Sequence, residues 1–322
     1  GVNLESDETV TVNIDGGTIT GVNFDGLRLR AGGDIDATIS GNIFSGDGNS
    51  QGIDAASDGG NVTIDLQQGS VIATFPNANQ QAIVAQTTGA GNIDISIGSE
   101  GPATVDGWNT GIWAFNKDAG ATGSIDITIG EEGSVHSSTA NAILVQSAGT
   151  GPVTVENRGE IVASDDGAVL ILAKGDVTFD GTGGSVESTN AGFAGAAILA
   201  LSSEGDVTVD TGEVTANGTG GGAGAIALGT GQTATVNVTG DISIGAGLAG
   251  AAAIATDGNA VANVNEAVTI EVDTFAIAAV GSLSLGGGDA ETNVNEALTL
   301  DGSGIIVAGA AAIALDGNAT TN

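Results

Sequence analysis

The sequence predicts an all-β fold: a single-stranded parallel β-helix, right-handed, of about eleven rungs with three short strands in each. Two observations carry that expectation, and a third agrees with it. An internal repeat recurs roughly every 24 to 32 residues. Within each repeat, runs of about three to five residues alternate aliphatic and polar side chains with period two, bounded by Gly, Asp, Asn or Ser. The 322 residues include 56 Gly and only 3 Pro, the turn chemistry that many short strands require.

The first strand of the repeat reads Val10-Thr11-Val12, Ile35-Asp36-Ala37, Val62-Thr63-Ile64, Ile93-Asp94-Ile95, Ile125-Asp126-Ile127 and Val153-Thr154-Val155. It continues through Val177-Thr178-Phe179, Val207-Thr208-Val209 and Ala234-Thr235-Val236, then less cleanly through Ala260-Val261-Ala262 and Ala290-Glu291-Thr292. The second strand follows a Gly or acidic turn, as in Ser70-Val71-Ile72-Ala73, Ser134-Val135-His136-Ser137, Glu160-Ile161-Val162-Ala163 and Glu213-Val214-Thr215-Ala216. The third has the form small-aliphatic-any-small: Gly52-Ile53-Asp54-Ala55, Ala82-Ile83-Val84-Ala85, Gly111-Ile112-Trp113-Ala114, Ala142-Ile143-Leu144-Val145 and Ala225-Ile226-Ala227-Leu228. No segment can bury its apolar side alone, so the segments must stack. At about 4.8 Å per rung the expected rod is on the order of 50 Å long.

Composition fits a narrow interior. Hydrophobic residues make up 41% of the chain but aromatics only 3%, so the core is expected to be Val, Ile, Leu and Ala. Residues 1–9 are expected as a lead-in or cap and 10–322 as one continuous repeat domain ending within a repeat, because Asp316-Gly317-Asn318-Ala319-Thr320 restarts the pattern of Gly288-Asp289-Ala290-Glu291-Thr292. Cys is absent, which excludes disulfides and thiolate metal sites. Met is absent too, and no signal-peptide-like or membrane-spanning apolar segment is present, so the chain reads as a processed piece of a longer protein.

The recurrences Gly52-Ile53-Asp54-Ala55-Ala56-Ser57, Gly60-Asn61-Val62-Thr63-Ile64 and Asn141-Ala142-Ile143, with the lack of Cys and scarcity of Lys, resemble the repeat-rich passenger domains of Gram-negative autotransporters and related β-strand-repeat surface adhesins. The resemblance spans roughly Val10 to Asn322. It implies an extracellular, outer-membrane-surface location, a β-helical shaft with an adhesive, filament-forming or biofilm-matrix role, and no shared catalytic residues.

Charge is the second strong feature. The 39 acidic residues against 5 basic ones give a formal net charge of −34, and Arg28, Arg30, Lys117, Arg158 and Lys174 are too few and scattered to track phosphates. Nucleic acid is excluded as a partner, and no direct membrane insertion is expected. Stacking places Asp65, Ser96, Thr128, Glu156, Asp180, Asp210 and Asn237 in one outward column of the first strand. Glu156, Asp180 and Asp210 then become neighbours about 4.8 Å apart, a stack that either stays wet or recruits a hard cation such as calcium. Asp94 and Asp126 form a weaker pair in the neighbouring column. Calcium is the one cofactor candidate.

The third strand carries an outward apolar stripe, Val84, Trp113, Leu144, Leu170, Leu199 and Ala227, with Phe115, Leu172 and Leu201 two residues further on. Such a stripe marks an interface unless the chain covers it. Loops around 74–80 or 181–195, another copy of the chain, or a cell-surface or matrix component could do so. A one-residue shift would bury the stripe and expose Ile112, Ile143 and Ile198 instead. Trp108 and Trp113 admit a carbohydrate-binding reading beside a packing one. For catalysis the chain offers no Cys, no Tyr and a single His, His136, among Ser134, Ser137 and Ser138 on a second strand, which is a poor basis for a triad. The expected function is a non-enzymatic structural or adhesive segment. A self-assembling filament subunit and a polysaccharide binder are the alternatives.

Overall fold

In the computed structural model, which describes residues 1–46, 50–76, 79–189, 196–217 and 221–322, the chain divides into two compact units, Gly1–Ser164 and Asp165–Asn322. Each unit is a parallel β-solenoid with three strands to the turn, about eleven turns in all, and the described residues contain no helix.

In the first unit, the first strands stack in the order Val10–Ile14, Ile35–Ile39, Val62–Leu66, Ile93–Ile97, Ile125–Ile129 and Val153–Asn157, always in register. The cause is visible in Ile125-Asp126-Ile127-Thr128-Ile129. Its three Ile side chains are at most 1% exposed while Asp126 and Thr128 point outward. A slip of one residue would put two polar groups into the interior and three Ile into water, so burial alone enforces the register. Each fully buried Ile or Val contributes roughly 1.5–3 kcal/mol. Residues Val2–Ser6, within the stretch expected as a lead-in or cap, form a third strand. They pair residue for residue with Leu27–Ala31, because Val2-Asn3-Leu4-Glu5 carries the same alternation as Leu27-Arg28-Leu29-Arg30.

The corners are made by repeated polar groups. Where the third strand turns into the next first strand, Ser57 and Thr87 donate their hydroxyls to the carbonyls of Gly33 and Gly60, both at 2.6 Å, one turn back. Beside them runs a glycine column. A Cβ on Gly123 would sit 2.0 Å from the Gly91 carbonyl oxygen, and one on Gly91 would sit 2.1 Å from that of Gly60. Only a residue without a side chain lets adjacent turns close to strand spacing here. Just before the first strand, side-chain oxygens accept from backbone N–H groups of the following turn: Asn61 N–H donates to the Asp34 carboxylate at 2.8 Å, Asn92 N–H to the Asn61 amide oxygen and Ser124 N–H to that of Asn92, both at 2.9 Å. The tight corner would otherwise leave those groups without partners.

The second unit repeats this plan. Its first strands run Val177–Asp180, Val207–Thr211, Ala234–Val238, Ala260–Val264, Ala290–Val294 and Ala319–Thr321. Phe179, fully buried, is among the largest interior side chains. The same corner devices return, with Ser202 bonding the Gly175 carbonyl at 2.7 Å and Ser284 that of Gly258 at 2.9 Å. On the outward side of the first strand, Asn322 donates to Asn293 at 2.7 Å, Asn293 to Asn263 at 3.0 Å and Asn263 to Asn237 at 2.8 Å, and Asn237 donates to the Asp210 carboxylate. An ionised carboxylate only accepts, so Asp210 sets the direction of the whole ladder. In the final turn Ile305, Val307 and Ile313 are more than half exposed.

Candidate functional site

Within each unit the outward acids of the first strand stand in register, and each is engaged by neighbouring side chains. In the first unit Asp65, Ser96, Thr128 and Glu156 are successive partners, and Glu156 pairs with Arg158 at 3.0 Å. In the second unit Asp180 and Asp210 are register partners. Asp180 accepts from the backbone N–H and the hydroxyl of Thr182, at 3.0 and 2.6 Å, and Asp210 accepts from Asn237. Among the described residues, no three His, Cys, Asp or Glu side chains come together in a metal-binding group. Asp94 and Asp126 are partners as expected. Burial raises the Asp94 carboxyl above its ordinary value, and the neighbouring Asp126 and Asp65 raise it further.

The third-strand face of the first unit is chemically mixed. Arg30 pairs with Asp54, and the outward positions then pass through Val84, Trp113 and Leu144. Ile112 and Ile143 are fully buried and Trp113 and Leu144 face outward, whereas Val84, expected in the stripe, is only 8% exposed. Phe115 is nonetheless only 5% exposed, because Trp113 covers it at 4.6 Å between ring centroids and the Lys117 ammonium stands 4.7 Å above its ring. Trp113 is half-buried and donates its indole N–H to Gln146 at 3.2 Å. Trp108 occupies the corner before this strand, where its backbone N–H donates to the Ala73 carbonyl at 2.7 Å. Between corner and strand is an open depression of about 450 Å³ lined by Trp113, Leu144, Thr110 and the carboxamides of Gln51, Asn79, Gln81 and Asn109.

The second unit presents a different third-strand face. Leu170 pairs with Leu199 and Leu172 with Leu201. From Leu201 the outward column continues through Ile226, Ile254, Leu283 and Ile313. Beside it, the Leu170–Leu199 column continues as Gly224, Ala252, Gly281 and Ala311. Ala227, expected to follow Leu199 in the stripe, is fully buried; Gly224 pairs with Leu199 and Ile226 takes the outward place beside Leu201. The cause is local: Ala225-Ile226-Ala227 has Ala on both sides of its one bulky residue, so the neighbouring strand decides the register. Of the loops expected to cover the stripe, residues 77–78 and 190–195 lie outside the described residues, while Ser185–Ser188 form a second strand.

His136 points outward between Asp106 and Val162 on neighbouring turns, with its Nε2 3.8 Å from the Glu160 carboxylate. Ser134 and Ser137 are both engaged elsewhere. The first donates to Thr104 at 3.1 Å and the second to the Ala140 carbonyl. Neither hydroxyl donates to His136. Among the described residues no helix is long and apolar enough to cross a membrane.

Sequence reasoning missed the carboxamide lining of the depression and the Asn ladder. The signal was present in both cases. Gln51 and Gln81 recur at the entry to successive third strands, and Asn237, Asn263 and Asn293 are each the fourth residue of successive first strands. No family model, curated protein or solved structure matches the chain.

Proposed function

We propose that the chain is a non-enzymatic structural and adhesive segment of an extracellular bacterial surface protein, and that copies of it associate through the third-strand face of the second unit. The acid-free aliphatic character of that face carries the proposal. The chain has 39 acidic residues, yet none lies in Val169–Ala173, Ile198–Ser202, Ala223–Thr230, 251–255, 280–284 or Ile305–Ala314. The other two faces of the unit carry Asp180, Asp210 and Glu291 or Glu187, Glu271 and Asp301. Copies of net charge −34 repel wherever acids face one another, and this face is where a second copy meets none. Its form is also self-complementary, since a ridge of Leu and Ile lies beside a furrow of Gly and Ala.

Size decides how strong such an association is. Six turns at about 4.8 Å and two outward columns give a patch on the order of 350 Å² per copy. A standard stable interface needs about 800 Å² per partner, so the contact is weak and concentration-dependent, suited to copies held side by side on a surface. An autotransporter-like location, suggested by the repeat pattern, would supply that crowding. Sedimentation velocity over a wide concentration range tests the proposal. The wild type should self-associate at high concentration, more so with added salt, and Leu201→Glu and Ile226→Glu should stay monomeric with unchanged circular dichroism. A wild type that is monomeric at every concentration and salt level sinks the proposal, as does association that both variants retain.

A further inference from the structure

The geometry points to a binding site for an uncharged oligosaccharide at Trp113 in the first unit. This deepens the adhesive part of the proposed function by naming a ligand class, and it uses residues of a different unit from the self-association, so either can fail alone.

Three features of the depression select the chemistry. Its floor is apolar and partly aromatic. Trp113 and Leu144 are adjacent outward residues on paired strands, and the indole is fixed by its hydrogen bond to Gln146 and by packing on Phe115. An indole held in place offers a flat surface of the size and polarity that the C–H face of a pyranose ring covers. Its rim is built of carboxamides, Gln51, Asn79, Gln81 and Asn109. A carboxamide carries a donor and an acceptor side by side, as each sugar hydroxyl does, so a row of them can satisfy vicinal hydroxyls without a net charge. Gln51 donates to Gln81 at 3.1 Å, which orients two of these amides before any ligand arrives.

The third feature is the lining itself, in which no residue is charged, on a chain of net charge −34. A metal ion finds no carboxylate there. A uronate or sulfated glycan finds no cation, since the nearby Lys117 ammonium is placed over the Phe115 ring. A volume of about 450 Å³ is within the range of small-ligand sites, and its openness along successive turns suits a chain of sugars more than a closed pocket would. The solenoid supplies the spacing, because Gln51, Gln81 and Thr110 come from consecutive turns.

The chain has only two Trp, so intrinsic fluorescence reads this site. The experiment titrates the whole chain, and a Trp108→Phe variant in which Trp113 alone reports, with cellohexaose, maltohexaose, laminarihexaose and chitohexaose, with polygalacturonate and heparin as charged controls. At least one neutral hexasaccharide should change Trp113 emission saturably. Its affinity should fall about tenfold or more in Trp113→Ala, measured by calorimetry, and less in Trp113→Phe, which keeps a ring. Asn109→Ala should weaken binding with the fold intact by circular dichroism. Absence of binding by every neutral probe overturns the inference, as does binding of the charged polymers alone, or neutral-sugar affinity unchanged in Trp113→Ala.

Discussion

Replacing Asn263 by Ala removes the middle step of the carboxamide ladder. Asn263 donates to Asn237 at 2.8 Å and accepts from Asn293 at 3.0 Å, so two side-chain hydrogen bonds disappear together. Each is worth roughly 0.5–1.5 kcal/mol net. The column is half-buried, so water can reach the orphaned amides and the low half of that range applies, giving about 1–2 kcal/mol in all. In a stacked-turn protein the loss is local, because each turn contacts only its neighbours. Hydrogen exchange should therefore accelerate in Ala234–Val238, Ala260–Val264 and Ala290–Val294 and stay unchanged throughout Gly1–Ser164. A double-mutant cycle with Asn293→Ala isolates one rung, with an expected coupling of about 0.5–1 kcal/mol. A coupling indistinguishable from zero, with exchange unaltered in those strands, would show that the ladder is solvated rather than structural and refute the reasoning.

Gly123→Ala should destabilise the first unit by about 1–3 kcal/mol, since its Cβ would be driven into the Gly91 carbonyl and adjacent turns must part; a denaturant midpoint equal to that of the wild type contradicts this. Asp94→Asn tests the acidic pair on the opposite side of the ledger of charge. Burial first, then Asp126 and Asp65, raises the Asp94 carboxyl above its unfolded value, so the folded state holds its proton more tightly than the unfolded one does. Stability therefore falls as pH rises through the interval between the unfolded value and the raised folded one, and the penalty is complete above it. Asp94→Asn should melt higher than the wild type near neutral pH and lose that advantage below the ordinary carboxylate range. Melting curves at both ends of the interval decide the matter, and a variant less stable at neutral pH goes against it.

The fold was legible because one physical constraint repeats. Every first strand from Val62-Thr63-Ile64 to Val207-Thr208-Val209 has an apolar, polar, apolar order, and only one register buries all of the apolar residues. Legibility failed where that contrast fades. Around Ala223-Gly224-Ala225-Ile226-Ala227 small residues fit either face, so the outward place of Ile226 follows from its pairing with Leu201 rather than from its own segment. Val2-Asn3-Leu4-Glu5 had the contrast, but a single strand outside the first full repeat gave no neighbour to compare. The candidate site was legible only in its aromatic half. Trp113 stands out in a chain with 3% aromatics, whereas Gln51, Gln81 and Asn109 become a set only when corners from separate turns are placed side by side.

The acidity that looks like a uniform property of the chain is distributed by face, and that distribution fixes the sign of a salt experiment. If copies met through the first- or second-strand faces of the second unit, where Asp180 and Asp210 or Glu271 and Asp301 stand in register, a bridging divalent cation would be needed to hold them together. Monovalent salt would compete with that cation and weaken the contact. If they meet through the Leu172 to Ile313 column, the acids contribute only long-range repulsion between whole copies, and screening it must strengthen the contact. Sodium chloride and calcium chloride at matched ionic strength therefore separate the two arrangements without any mutation. Equal promotion by both salts assigns association to the aliphatic face, whereas promotion by calcium that sodium reverses assigns it to the acidic columns.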